Sequence, residues 1–225
     1  MHRRPELLTP AVDSDGEEPP AVVRRRRIVA SATLIVGGAL LAAALGAPRG
    51  SGRFFFLTGL VAATWLLGAL ASGPLALGRA GGRDAGGLGL VPPIVAGVAA
   101  FSMFLVGDLV ARHVPLVSGA LHRVLETADA GPRALVLATA IANGVAEEVF
   151  FRGALHSALA RHRPAVYSTV AYVAVTAATR NVALVLAAVV MGSLWSLERR
   201  STRGVLAPIL THTVWSSLML LALPR

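Results

Sequence analysis

The chain has 225 residues, 55% of them apolar and only 15% charged, against the roughly one quarter charged that soluble domains carry. Twenty-one basic residues, every one an Arg, face 12 acidic ones for a net charge of +9, and there is no Cys. These values exclude a disordered chain, a collagen-like fibre and a disulfide scaffold.

Residues 1–27 read as a disordered cytoplasmic tail with a polybasic end. Asp13, Asp15, Glu17 and Glu18 stand among Gly16, Pro19 and Pro20, and Arg24–Arg27 close the segment. Four Arg beside an apolar run fit the positive-inside rule. No aromatic or helical docking surface accompanies them, so no nucleic-acid partner is expected. Uncharged stretches then run 28–48, 54–78, 85–107, 134–146, 164–179, 181–197 and 204–224. The first is too long for the h-region of a cleaved signal and reads as a retained span. Several exceed the roughly 18–20 residues that cross a hydrocarbon core, and all outrun a barrel strand.

The fold class is therefore all-α, a polytopic transmembrane bundle of about seven spans, multi-pass in the plasma membrane with the lipid bilayer around it. Residues 28–133 hold the N-terminal spans and an amphipathic loop, Arg112–Arg133, that suits the interface. Residues 134–225 form the C-terminal core. With the N-terminus cytoplasmic, seven crossings put 14 Arg inside and 7 outside. No internal repeat points to an inverted-repeat transporter. Trp65, Trp195 and Trp215 read as belt or packing residues.

The chemistry concentrates in Glu147-Glu148-Val149-Phe150-Phe151-Arg152-Gly153. Carboxylates inside a span are costly, about 2.5–3.5 kcal/mol each near a helix centre. Glu148 and Arg152 are i, i+4 partners in the favourable acid-before-base order. Glu147 is turned about 100° away, on a stripe with Asn143. One carboxylate is thereby paired, and its neighbour is left to face a cavity as a general base toward water. The plainer alternative makes both glutamates interface markers. In the last span, His212 and Ser216 share a face, also at i, i+4. A lone His there would usually satisfy a carbonyl or hydroxyl. Its coincidence with buried carboxylates approached from the same side argues for function.

A span ending Glu-Glu-x-x-x-Arg and a last span bearing His-x-x-x-Ser, where Asn is usual, resemble the CAAX prenyl protease and bacteriocin-processing (CPBP, Abi-like) family of intramembrane endopeptidases. The resemblance covers residues 134–223 and includes Gly153 and the approach Gly204–His212. It implies a protease, many relatives being described as metalloproteases, with Glu147 activating water, Glu148 and Arg152 shaping the site, and His212 acting as ligand or oxyanion-side partner. Zinc, if held, would take His212 and Glu147. Two departures stand out. Where the family has Phe-x-x-x-His in its middle motif, the best register here is Thr176-Ala177-Ala178-Thr179-Arg180, and Ser216 replaces the usual Asn.

If the fourth helix runs to Arg163 and turns at Pro164, Arg180 falls level with Glu147 in the hairpin. It would then pair with a glutamate and make it a poorer base; otherwise Arg180 is a loop residue. The leading expectation is an endopeptidase that cleaves a membrane-associated protein or peptide near the cytoplasmic face, by glutamate-activated water and without a covalent intermediate. A prenylated substrate is not implied. The alternatives are an impaired relative acting as a membrane binding, immunity or regulatory protein, and a small proton-coupled transporter.

Overall fold

A computed structural model describes residues 8–9, 19–78 and 89–222. Among these, helices α1 (Pro20–Leu45), α2 (Gly52–Ser72), α3 (Val91–Ala111), α4 (Pro115–Asp129), α5 (Arg133–Ala158), α6 (Pro164–Ala177), α7 (Val182–Thr202) and α8 (Leu206–Ala222) follow in order. Five of them, α1, α2, α3, α5 and α7, are long and apolar enough to cross a membrane. The apolar helices α6 and α8 are shorter, at 14 and 17 residues. The all-α bundle is thus present, with seven apolar rods and α4 as the amphipathic segment foreseen between Arg112 and Arg133.

Side-chain registers fix the directions. Arg25 near the start of α1 donates to Ala71 O in the last turn of α2, where a helix leaves its carbonyls unpaired, and Arg26 donates to Pro74 O two residues beyond that helix. These two helices are therefore antiparallel. Arg133 at the start of α5 donates to Leu221 O at the end of α8, and Thr169 of α6 meets Ser196 of α7. Both pairs are again antiparallel. In contrast, α3 and α8 run parallel, since Thr211 donates to Pro93 O and a Cβ on Gly97 would meet Val214. The rods alternate, so one end of the bundle carries Arg24–Arg27, the α5–α6 turn and the start of α8. The other carries Arg49, α4, the start of α5 and the α6–α7 turn.

The N-terminal segment differs from the expected tail. Pro20 occupies the first helical turn, where its missing N–H is no loss, and α1 continues through Arg24–Arg27 with Arg26 buried. Leu8–Thr9 pairs in parallel with Leu75–Ala76 as a two-stranded bridge. Residues 1–7 and 10–18 lie outside the described residues.

The core sits where α1, α2 and α5 meet. Trp65 stacks on Phe150 with ring centroids 4.8 Å apart, and Phe150 packs edge-on against Phe151. A Cβ on Gly37 would run into the Trp65 indole and one on Gly68 into Thr33, so these glycines let α1 and α2 approach closely. Within α5, residues Val149–Leu155 form a π-helix, a widened turn that a sequence pattern does not announce.

Candidate active site

The π turn begins one residue after Glu148, and the site is built around it. Glu148 and Arg152 are completely buried, with Arg152 Nη1 donating to Glu148 Oε1 at 3.2 Å. The i, i+4 pair read from the sequence is present. Arg152 Nη2 also donates to Gly192 O of α7 at 3.1 Å. Its guanidinium lies 4.7 Å from the Tyr172 ring centre and 5.1 Å from that of Trp195. Cation–π contact of this kind gains weight when the cation is desolvated. The widened turn leaves the carbonyl of Arg152 to accept from Arg199 Nε at 2.8 Å.

The imidazole arrives from α8. His212 Nδ1 lies 3.0 Å from Glu148 Oε1, and its ring stacks on Trp195 at 3.9 Å between centroids, inclined by 12°. On its other edge it faces Gly144 of α5, where a Cβ would stand 3.1 Å from Nε2. A larger residue at 144 would push the ring out, which gives that glycine its reason. In the tautomer in which Nδ1 donates to Glu148, Nε2 is the nitrogen left to face outward. This is the orienting logic by which a carboxylate fixes a histidine's tautomer.

Glu147 points elsewhere. Tyr172 donates its hydroxyl to Glu147 Oε2 at 3.2 Å, and Glu147 lines a cavity of about 430 Å³ together with Asn143, Thr139 and Thr179. The split foreseen between a paired and a cavity-facing carboxylate is therefore seen. The imidazole, however, is hydrogen-bonded to Glu148, not to Glu147. His212, Glu148 and Arg152 all lie within Coulombic range of Glu147.

Ser216 donates to His212 O one turn back at 2.7 Å and borders a second, apolar cavity of about 370 Å³. Arg180 is exposed in the turn after α6, at φ 52°, and makes no ion pair with either glutamate. The expected level match fails because α5 stops at Ala158 and the chain turns over residues 159–163 before Pro164 opens α6. Among the described residues, no three His, Cys, Asp or Glu converge as metal ligands, and His212 Nδ1 is engaged by Glu148. The donor set does not fit a zinc site, which wants three protein ligands and an open position.

Three further residues, none of them a site candidate by sequence, take part in the cluster. Tyr172 and Trp195 touch the charged cluster directly, and Glu198 Oε1 of α7 lies 2.5 Å from Thr211 Oγ1, one residue before His212. Their only sequence signal was polarity or aromaticity inside an apolar run.

Residues 129–218, from the last residue of α4 through most of α8, match the family model described as type II CAAX prenyl endopeptidase Rce1-like. No curated protein and no solved structure matches the chain.

Proposed function

The match over residues 129–218 supports a CPBP-family intramembrane protease, and from that premise we propose an endopeptidase that uses Glu147 as general base. A water in the cavity loses its proton to Glu147 as it attacks the scissile carbonyl. The departing amine then recovers a proton, and no covalent intermediate forms. Tyr172 holds one Glu147 oxygen. Glu148 and Arg152 hold the His212 ring, so that Nε2 faces the same part of α5 as Gly144. Protonated, His212 would stabilise the developing oxyanion; neutral, it would relay a proton. The observation that carries the reading is the division of labour at 147 and 148: one glutamate is sealed in an ion pair, and its neighbour is exposed to a cavity. Ser216 gives its proton to its own helix and supplies no obvious oxyanion donor. With its N-terminus cytoplasmic, the chain would sit in the plasma membrane and act on a membrane-associated protein or peptide.

The test is a comparison of new protein N-termini in membranes from cells carrying the wild-type chain or Glu147→Ala. Removing a general base lowers the rate about 10²–10⁴-fold, so cleavages made by this chain should vanish while the protein remains folded. One observation favours a second reading, a binding or regulatory relative. His212 is the only imidazole hydrogen-bonded to either glutamate among the described residues. A cellular phenotype that survives Glu147→Ala would select that reading.

A further inference from the structure

We infer that the peptide reaches Glu147 from the end of the bundle opposite Arg24–Arg27, which makes the substrate a segment presented at that face; this rests on the hydrolase reading above. The sequence alone leads to the opposite expectation, cleavage near the cytoplasmic face that Arg24–Arg27 mark. Three observations reverse it.

The cavity that holds Glu147 is lined from the far end only. Its polar wall comes from Arg49 between α1 and α2, Arg123 and Thr127 of α4, Thr139 early in α5, and Thr179 and Asn181 of the α6–α7 turn. Thr139 precedes Glu147 by eight residues, about 12 Å of helix, so these groups mark a path descending from that end.

The Arg24–Arg27 side is closed. Beyond Glu148 lie Arg152, Phe150, Ala154, Leu75 and Val205, each at most 1% exposed. The strand residue Leu75 and Val205 pack over Gly153, both within 3.5 Å of where its Cβ would be. Arg199 ties the Arg152 carbonyl across the same layer. None of this packing leaves width for a polypeptide.

The path also suits an extended chain. Phe54, Phe55 and Leu41 give it apolar walls. Asn143, one turn above Glu147, donates an amide hydrogen to Thr139 O and keeps its side-chain oxygen for a peptide N–H. A backbone inside the membrane must find such partners.

The chain has no Cys, so single cysteines report access without background. Thr139→Cys and, independently, Thr179→Cys would be placed in sealed membrane vesicles of both orientations and treated with a sulfonated, membrane-impermeant maleimide. His113→Cys in the α3–α4 turn and His162→Cys in the α5–α6 turn mark the two faces. Both cavity positions should be labelled from the face that labels His113→Cys, at least tenfold faster than from the other. Labelling from the His162→Cys face overturns the inference, as does labelling only by a membrane-permeant maleimide, which would mean approach through the lipid. Failure of the hydrolase reading is separate: cleavage that persists in Glu147→Ala leaves the labelling pattern untouched.

Discussion

Arg152→Met would test whether the buried cluster is held together by charge. The substitution keeps a long unbranched side chain but removes the arginine that, among the described residues, shares Glu148 with His212. It also removes the donor to Gly192 O and the cation over Tyr172 and Trp195. Glu148 is wholly buried, with Oε2 already unpartnered, so its charge has no water to fall back on. Breaking a buried pair from one side costs about 3–5 kcal/mol, a large share of the 5–15 kcal/mol that separates folded from unfolded chains. The double variant Glu148→Gln with Arg152→Met removes both charges and still leaves an acceptor for His212. It should recover at least ~1 kcal/mol over the single change. Unfolding in mixed micelles with increasing SDS, followed by far-UV circular dichroism, measures both. An Arg152→Met protein within ~1 kcal/mol of wild type would refute the reasoning, as would a double variant as unstable as the two single changes summed.

Other outcomes follow from neighbouring contacts. Gly144→Ala puts a methyl against His212, which Trp195 prevents from retreating. Proteolysis should fall up to about 10²-fold, the penalty for misplacing a reacting group by ~1 Å, with little change in melting temperature. Tyr172→Phe removes the hydroxyl on Glu147 and should lose about 1 kcal/mol of stability, with kcat falling more than KM rises in a purified-enzyme assay.

Much of the bundle was legible because a span must be uncharged for its whole length. Charges at 49, 53, 108, 112 and 133 therefore bracket the rods, and α4 betrayed itself by alternating. The Glu148–Arg152 pair was legible because helical spacing brings i and i+4 together. Contacts between rods were not. Trp195 stacks on His212, and Tyr172 reaches Glu147, across sequence separations that no periodicity encodes. The height assigned to Arg180 failed for a related reason, since it assumed that α5 continued straight to Arg163. The N-terminal helix starts earlier than the polar composition suggests, because Pro20 sits in the first helical turn, where a proline starts a helix as readily as it ends one elsewhere.

The wide turn at Val149–Leu155 has a consequence for how this rod tolerates change in length. A π segment is equivalent to one surplus residue absorbed in place, with Glu148 and its partners before it and the run to Ala158 after it. Loss of one residue within 149–151 would let the turn relax to ordinary pitch and leave both flanks facing as before, but it would shorten the Glu148–Arg152 spacing to three. The rod thus holds a spare residue at the one place where losing it would be mechanically quiet and chemically disruptive.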